Sequence, residues 1–433
     1  MPEGVRLYNL FPLLAGTVTE WEDHLDRIKA MGFNWIFLNP FHYPGFSGSL
    51  YAVKDYYSFN PLMVPDGQKD ANDKLISQFV KAAKKRGLLV MMDLVANHTG
   101  KDALVTEEHP EWFLREPDGS LCSPFAVDPG DPRKRTVWAD LAELNYHDGP
   151  QQKPLVDFFC GVIRHYLKLG IRGFRCDAAY KIRADIWQRM IEAGRKANRD
   201  VLFVAENLGA MQEQVEAMRG AGFDYLFNSA KWWDFRQDWL LNQYELFRSI
   251  APSISFPESH DTERLAEKLA ADGITAPNEV KQNYRHAYLF SAAFATGVMI
   301  PIGFEYGFKK RLHVVHTRPS DWEKPAFDIT EYIGEVNRMK ASVPALNEEG
   351  PQRAVLLDGG SVMALERRAE SGAGWAVTLI NPNTETSVTA RVNGLDGSIS
   401  GGHEVTPGWQ GMPLHPGMEI TLDPGDVRVF ASS

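Results

Sequence analysis

Cysteine is scarce in this chain, with three residues among 433. Cys122, Cys160 and Cys176 form an odd set without the spacing of a zinc or iron–sulfur site. This pattern excludes a disulfide framework and a cysteine-ligated metal, and it indicates reduced thiols. We therefore expect a cytoplasmic protein.

Excess positive charge is also lacking, since the formal net charge at pH 7 is -10. Nucleic acid calls for a basic surface, so this balance argues against a nucleic-acid partner. The first residues are not followed by the long apolar run of a signal peptide, and no later run is long enough to span a bilayer. We expect no membrane partner either.

Hydrophobic residues, by contrast, make up 44% of the chain, which is enough for a large core in two or three domains. Short strand-like runs alternate with helical runs from residue 5 to about residue 340, in eight strand-then-helix units. That pattern fits a (β/α)8 barrel better than a doubly wound sheet. Within it we expect a long loop at residues 39–70 and helices at 211–221 and 233–248.

Two stretches interrupt the alternation and indicate additional domains. Residues 99–148 are rich in proline and glycine and have no long helical pattern. Residues 345–433 contain short strand-like runs separated by turns. The sequence thus predicts a TIM barrel (1–98 and 149–344), a short insertion after strand 3 (99–148) and a C-terminal antiparallel β-sandwich (345–433).

The most informative stretch lies at the end of the fourth predicted strand. A helical run ends at Gly170, and the short apolar strand over residues 171–177 ends at Asp177. Strand side chains alternate, so Arg175 and Asp177 share one face while Cys176 is expected to face the outer side. Arg175 would keep the carboxylate of Asp177 ionised. Alone, such a pair is more often structural than catalytic, and only its context favours chemistry.

That context is a set of polar residues at other strand ends, which a barrel gathers around one pocket. Paired carboxylates suit glycoside cleavage, with Asp177 as nucleophile and Glu206 as proton donor. Glu206 follows an apolar strand, and such a setting raises the pKa of a carboxyl group. Asp261 suits stabilisation of positive charge in the transition state, and His98 and His260 suit hydrogen bonding to sugar hydroxyls.

Four segments in this order and spacing resemble the signature regions of the α-amylase family, glycoside hydrolase family 13. They are Asp93–His98, Gly173–Ala178, Phe203–Asn207 and Ser259–Asp261. Tyr51 matches the tyrosine that stacks on the sugar in the family's subsite -1, and residues 297–307 are similar to its eighth-strand region. The resemblance implies a retaining mechanism with Asp177 as nucleophile, Glu206 as acid/base and Asp261 as transition-state stabiliser. It also implies a sugar-binding shell formed by Arg175, His98, His260 and Tyr51.

One departure from the family pattern concerns calcium. Many α-amylases carry Lys-His where this chain has Tyr180-Lys181, and the carbonyl of that histidine helps to bind calcium. Asn97 keeps the position that lies on the calcium side in the family, so a calcium ion is possible. Because the insertion is short, we do not favour one. The insertion contains acidic residues without the spacing of a calcium loop, namely Asp128, Asp131, Asp140 and Asp148. We expect neither a metal nor another cofactor.

Other stretches resemble the bacterial maltosyltransferases that use maltose 1-phosphate. They are His109–Phe113, Val162–Asp177, Gly222–Tyr225 and Trp232-Trp233. Those enzymes carry additional N-terminal domains, whereas the first predicted strand here begins within ten residues. Lys231, Lys309, Lys310 and Arg311 form either a phosphate site or a solvated basic surface. Trp232 and Trp233 either stack on sugars or pack in the core.

Three hypotheses for function follow. The first is a retaining hydrolase or transglycosylase that cleaves α-1,4-glucosidic bonds of an α-glucan or maltooligosaccharide. The second is a maltosyltransferase with a sugar phosphate donor. The third is a catalytically inactive binding protein, against which the intact set of Asp177, Glu206 and Asp261 argues.

Overall fold

The computed structural model of the protein describes residues 4–68, 71–128, 131–357, 360–399, 401–409 and 411–432. The strands in the first 342 residues are β1 (Arg6–Asn9), β2 (Trp35–Leu38), β3 (His42–Pro44), β4 (Val53–Phe59), β5 (Leu89–Leu94), β6 (His98–Gly100), β7 (Phe125–Asp128), β8 (Asp131–Val137), β9 (Leu141–Glu143), β10 (Gly173–Cys176), β11 (Leu202–Ala205), β12 (Tyr225–Phe227), β13 (Ser253–Ser255) and β14 (Gly297–Pro301).

Within the described ranges, eight parallel strands close a barrel in the order β1-β14-β13-β12-β11-β10-β5-β2. Every strand edge is therefore paired with a neighbour, which satisfies the backbone donors and acceptors of short, fully buried strands. The barrel interior is filled by large apolar side chains that include Leu7, Trp35, Phe37, Ile254 and Met299. The predicted (β/α)8 barrel is confirmed.

The helices surround this barrel and cover its outer face. They are α1 (Pro12–Ala15), α2 (Leu25–Ala30), α3 (Asn72–Lys85), α4 (Leu104–Glu108), α5 (Gln152–Leu169), α6 (Ala184–Ala197), α7 (Gln212–Glu216), α8 (Trp239–Arg248), α9 (Leu265–Ala271), α10 (Pro277–Phe294) and α11 (Thr330–Ser342). Short 3₁₀ turns lie at Glu20–His24, Pro61–Met63, Pro110–Trp112, Ala179–Lys181, Ala230–Trp232, Phe304–Tyr306, Pro319–Asp321 and Pro344–Leu346. None of the helices in the described ranges has the length and apolarity needed to cross a bilayer.

The alternation predicted for the fourth barrel strand is present in β10. Gly170 ends α5 in the left-handed conformation with φ of 107°, which glycine adopts without steric cost. Phe174 and Cys176 then point outward into the core between the sheet and the helices. The intervening Arg175 points into the barrel mouth, as does Asp177 directly after the strand.

Three expectations about local structure are wrong. The stretch 39–70 is not a long loop, because β3 and β4 form an antiparallel hairpin in it. The helix expected at 211–221 is limited to Gln212–Glu216, and Gly220 with φ of 81° lies beyond it. The helix expected at 233–248 begins only at Trp239, because Phe235 has a left-handed φ of 58° that a helix does not accommodate.

The insertion after β5 consists of two antiparallel strand pairs. β6 pairs with β9, so His98 stands in a strand that begins the insertion directly after the barrel strand. β7 and β8 form a hairpin between residues 125 and 137. The insertion therefore returns to the barrel mouth at both of its ends, where it borders the site described below.

The C-terminal strands form two antiparallel sheets that share one core. A sheet of five strands has the order β15-β16-β17-β21-β19 and a pair is formed by β18 and β20. Apolar residues of both sheets, such as Val377 and Phe430 from one and Ile420 and Leu422 from the other, belong to the same cluster. The domain boundaries at residues 98, 148 and 344 stay predictions. The strands are β15 (Gln352–Leu357), β16 (Val362–Arg368), β17 (Trp375–Ile380), β18 (Val388–Arg391), β19 (His403–Glu404), β20 (Glu419–Leu422) and β21 (Val427–Ala431).

A buried lysine joins the end of the barrel to the segment that leads into these sheets. The Nζ of Lys340 donates hydrogen bonds to the carbonyl oxygens of Ala292 (2.8 Å), Ala295 (2.7 Å) and Leu346 (2.6 Å). Burial lowers the pKa of Lys340, and the three carbonyl oxygens compensate for part of the lost hydration of its ammonium group. The lysine satisfies backbone acceptors in the last turn of α10, directly after it and at Leu346.

We expect Lys340→Met to lower the free energy of unfolding by about 2–4 kcal/mol, because it leaves these carbonyl groups without their buried donor. Urea denaturation followed by circular dichroism measures this as a lower midpoint. Lys153→Met is the matched control, since the side chain of Lys153 is 78% exposed and its loss should change the midpoint little. Equal midpoints for Lys340→Met and the control would contradict this role.

Candidate active site

A buried arginine connects the carboxylates at the C-terminal ends of two barrel strands. Arg175 on β10 is the register partner of Asp93 on β5. Its Nη1 lies 3.0 and 3.1 Å from the carboxylate oxygens of Asp93 and donates to Oδ1 of Asp177 at 2.6 Å. The predicted proximity of Arg175 and Asp177 is confirmed. Burial opposes the charge of Arg175, but Asp93, Tyr51 and Asp177 outweigh it and raise its pKa well above the usual value.

The second oxygen of Asp177 faces His98. Oδ2 of Asp177 lies 3.8 Å from Nε2 of His98. Burial lowers the pKa of His98, although the charge of Asp177 acts in the opposite direction, so the neutral imidazole is favoured at pH 7. Nε2 of His98 is buried and has no hydrogen-bond partner in the parts of the chain that the structure describes. A ligand hydroxyl beside Asp177 would satisfy it.

Tyr51 and His260 form the opposite wall. The hydroxyl of Tyr51 donates to Oδ2 of Asp93 at 2.8 Å and lies 2.8 Å from Nε2 of His260. The two rings are almost parallel, with 5° between their planes and 6.1 Å between their centroids. Nδ2 of Asn39 also donates to the Tyr51 hydroxyl at 3.0 Å. The hydroxyl of Tyr51 therefore has three polar neighbours, which are Asp93, His260 and Asn39.

Glu206 is bound through both of its carboxylate oxygens to backbone amides. Oε2 accepts from the N–H of Ala178 at 2.9 Å, and Oε1 accepts from the N–H of Leu208 at 2.6 Å. Ala178 has a left-handed φ of 44°, a conformation that costs energy for a residue other than glycine. Burial raises the pKa of Glu206 to about 7, with Arg175 opposing and Asp177 adding to the rise. The direction is the one that the apolar strand predicted.

Asp261 lies at the mouth of the same cavity. Its Oδ2 is 3.0 Å from Nε2 of His260 and 3.6 Å from Nη2 of Arg175. Burial acts to raise the pKa of Asp261, but His260, Arg175 and the nearby Arg311 outweigh this effect and lower it to about 2. Asp261 is thus ionised at neutral pH, while the proton of Glu206 is exchangeable there.

The structure brings all seven predicted site residues together. A cavity of about 430 Å³ is lined by six of them: Tyr51, His98, Arg175, Asp177, Glu206 and Asp261. The seventh, His260, lines a small extension below it. Arg175, Asp177 and Glu206 stand at or directly after the ends of β10 and β11, as a barrel requires of a shared site. Tyr51 and His98 reach the same cavity from the β3–β4 hairpin and from β6. Their chemical roles stay predictions.

One residue of the site, Asp93, received no role from the sequence. It is fully buried and binds both Arg175 and Tyr51. Burial raises its pKa, against the effect of Arg175. The available signal was a lone carboxylate in the otherwise apolar strand β5. Through these hydrogen bonds Asp93 holds the side chains of Arg175 and Tyr51 in place.

The basic residues considered for a phosphate site do not converge. Arg311 lines the cavity, but Nζ of Lys231 donates to the carbonyl of Pro257 at 3.3 Å, and Lys310 pairs with Asp321 at 3.1 Å. Of the two tryptophans, Trp233 packs in the core against Phe290, whereas Trp232 is 51% exposed. The core-packing alternative therefore holds for Trp233.

Two of the four carboxylates considered for calcium are engaged in ion pairs. Asp131 pairs with Arg133 and Asp148 with Arg183, each at 2.8 Å. The side chain of Asp128 lies outside the described residues. In the described ranges, no three side chains of His, Cys, Asp or Glu converge on a point that suits a metal ion. The absence of a required calcium ion stays a prediction.

Comparison with known proteins gives sequence relatives and structural neighbours. The model for the glucanotransferase domain of glycogen debranching enzyme matches residues 2–115. The α-1,4-glucan:maltose-1-phosphate maltosyltransferase of Burkholderia pseudomallei is 25% identical over 360 residues, which are 80% of this chain and 30% of that protein. The corresponding enzyme of Myxococcus xanthus is 25% identical over 401 residues, which are 84% of this chain and 57% of that protein. The chain thus spans less than two thirds of these relatives.

Two crystal structures match the fold over nearly its whole length. An α-amylase from Lactobacillus plantarum has a TM-score of 0.75 with 19% identity and 99% coverage of both chains. A maltogenic α-amylase from Thermotoga neapolitana has a TM-score of 0.72 with 21% identity and covers 99% of this chain and 98% of its own. The chain is therefore similar in sequence to α-1,4-glucan:maltose-1-phosphate maltosyltransferases and shares its fold with α-amylases.

Proposed function

We propose that the protein is a retaining α-glucan-active enzyme that cleaves α-1,4-glucosidic bonds through a covalent glycosyl-enzyme intermediate. The observation that carries the proposal is the pairing of two unlike carboxyl groups in one cavity. Asp177 accepts a charge-assisted hydrogen bond from Arg175, whereas burial raises the pKa of Glu206 to about 7. One group suits a nucleophile and the other suits a proton donor.

In the first step, a carboxylate oxygen of Asp177 forms a bond to the anomeric carbon of the donor sugar. The glycosidic bond breaks and Glu206 gives its proton to the departing oxygen. In the second step, Glu206 takes a proton from water or from a sugar hydroxyl. The resulting oxygen nucleophile attacks the anomeric carbon and releases Asp177.

The surrounding groups support the positive charge and the orientation of the donor sugar. Asp261 is ionised at the cavity mouth, where its charge favours an oxocarbenium-like transition state. His98 offers an unpartnered Nε2 to a sugar hydroxyl. Tyr51 and His260 present parallel rings on the other side, and the ring of Tyr51 suits stacking on an apolar sugar face.

A second candidate is transfer of a maltosyl unit from a sugar phosphate donor, because the sequence relatives are named maltose-1-phosphate maltosyltransferases. The deciding experiment incubates the protein with maltooligosaccharides, with and without inorganic phosphate, and separates the products by chromatography. Shorter and longer glucans without phosphate support the first function. Release of a maltosyl phosphate only when phosphate is added supports the second, and no product under either condition supports an inactive binding protein.

We expect Asp177→Asn and Glu206→Gln each to lower kcat on a maltooligosaccharide by at least about 10³-fold, because each group acts in bond breaking. Thermal unfolding of both variants should resemble that of the parent protein. The matched control is Asp157→Asn on α5, where the carboxylate forms an exposed pair with Lys153. Either site variant retaining most of its activity would refute the assignment of roles.

The raised pKa of Glu206 predicts the direction of the pH dependence. The proton donor is present below its pKa of about 7, so kcat/KM should fall as the pH rises through that value. A maltoside with a dinitrophenyl leaving group needs no proton, so its cleavage should lack this alkaline limb and should survive Glu206→Gln better. An alkaline limb that is identical for both substrates would assign the titration to another group.

We also propose that the protein works without calcium in the cytoplasm, which its three free cysteines support. We expect activity and melting temperature to be unchanged by a strong chelator, because Arg133 and Arg183 engage two of the carboxylates considered for the ion. A bound ion would raise the melting temperature by mass action. A drop on adding chelator that calcium reverses would contradict the proposal.

A further inference from the structure

Lys181, which departs from the family's usual residue, ties the insertion to the turn that follows the nucleophile strand. It ends the 3₁₀ turn Ala179–Lys181. Its Nζ donates to the carbonyl oxygen of Phe125 at 2.9 Å and lies over the rings of Phe125 (5.1 Å) and Tyr180 (5.6 Å). Phe125 is the first residue of the β7–β8 hairpin. One cation therefore holds the base of this hairpin through a hydrogen bond and a cation–π contact.

The second strand of this hairpin, β8, leads directly to Trp138 in the lining of the cavity. Trp138 directly follows β8, and its backbone N–H donates to the carbonyl oxygen of Pro124 at 3.1 Å. Pro124 precedes the residue that Lys181 holds, so the anchor and the tryptophan are neighbours across the hairpin. Trp138 is 41% exposed and lines the cavity that contains Asp177 and Glu206.

Trp138 leaves two fifths of its surface exposed in a cavity whose lining combines charged and apolar side chains. Its ring presents a large apolar face to a mouth otherwise rich in charged groups, which loses hydrophobic stabilisation unless a ligand covers it. The apolar face of a glucose unit is such a ligand, because its C–H groups pack on an aromatic ring while its hydroxyls stay hydrated. Tyr180 adds a second aromatic group to the same cavity lining.

The attachment of the 3₁₀ turn shows where Tyr180 lies in the cavity. The N–H of Ala178 donates to Oε2 of Glu206, and the N–H of Ala179 donates to the carbonyl oxygen of Glu206 at 3.0 Å. Tyr180 follows directly, so it stands beside the carboxyl group that would protonate the departing oxygen. Tyr51 and His98 lie instead around Arg175 and Asp177.

We infer that Trp138 and Tyr180 form an aromatic subsite for the glucose unit on the leaving-group and acceptor side of the bond. Lys181 is a positioning residue that holds the Trp138 hairpin over the cavity without touching the reacting atoms. This inference rests on the proposed glycosyl transfer, in which the acceptor hydroxyl loses its proton to Glu206 and attacks the anomeric carbon as Asp177 leaves. A bound acceptor glucose competes with water for that attack.

The experiment uses α-maltosyl fluoride as donor and maltose as acceptor. The small fluoride leaving group does not occupy the aromatic subsite, so fluoride release reports formation of the glycosyl-enzyme. Chromatography of the products then reports the division between water and maltose. The variants are Trp138→Ala, Tyr180→Ala and Lys181→Met, which removes the amine and keeps much of the apolar stem.

For Trp138→Ala and Lys181→Met we expect the maltose concentration for half-maximal transfer to rise. The factor of this rise should be at least tenfold larger than the factor by which the rate of fluoride release falls. Tyr180→Ala should shift this maltose concentration in the same direction. The double variant Trp138→Ala/Lys181→Met should need no more maltose for half-maximal transfer than Trp138→Ala alone, because the lysine acts through the tryptophan. Lys181→Arg should restore part of the acceptor affinity, since a guanidinium also binds a carbonyl oxygen and an aromatic face.

The matched controls are Trp409→Ala, whose ring is 55% exposed beside β21 and packs on Arg428, and Lys153→Met on α5. Both should leave fluoride release and transfer unchanged. If Trp138→Ala lowers fluoride release and transfer by equal factors, the acceptor subsite is refuted. If Lys181→Met lowers fluoride release and transfer by equal factors while Trp138→Ala does not, the positioning role of Lys181 is refuted. A parent protein that releases no fluoride and remodels no maltooligosaccharide would refute the proposed function itself.

Discussion

The buried guanidinium of Arg175 is the group on which the rest of the site depends. It lies within 3.1 Å of carboxylate oxygens of Asp93 and Asp177, and 3.6 Å from Asp261. Three carboxylates this close to one another would repel each other without a cation between them. Arg175 offsets that repulsion, and it opposes the rise that burial causes in the pKa of Asp93 and of Glu206.

The barrel supplies this arrangement through register rather than through local sequence. Residues 93 and 175 are far apart in the chain, yet they are opposite each other because β5 and β10 are parallel neighbours. Side-chain alternation then places Arg175 and Asp177 in the mouth and Cys176 in the outer core. The short strands contribute few side chains each, so the site needs the ends of several strands at once.

The sequence predicted the barrel and six of the seven converging residues because they follow from strong local patterns: apolar strands with polar ends, and glycines that end helices. Tyr51 was predicted only through the resemblance to the α-amylase family. The sequence did not reveal the role of Asp93, whose meaning depends on a partner 82 residues away. It also missed the β3–β4 hairpin and the late start of α8. The left-handed Phe235 is held by packing against Trp233 and Phe290, and such tertiary contacts override helical periodicity.

Under the proposed function, Asp177, Glu206 and Asp261 do not by themselves decide between hydrolysis and transfer, since the same nucleophile, proton donor and stabilising charge would serve water and sugar acceptors alike. The choice must therefore arise where the acceptor binds, next to Glu206. In this chain that place is bordered by the turn Ala179–Lys181 and by a hairpin that the same turn anchors. In the proposed arrangement, the departure from the α-amylase pattern at Lys181 would act on the acceptor side of the cavity and leave the proposed nucleophile and proton donor unchanged. Variation in the insertion can alter the acceptor without altering the chemistry, because the two are carried by different elements of the fold.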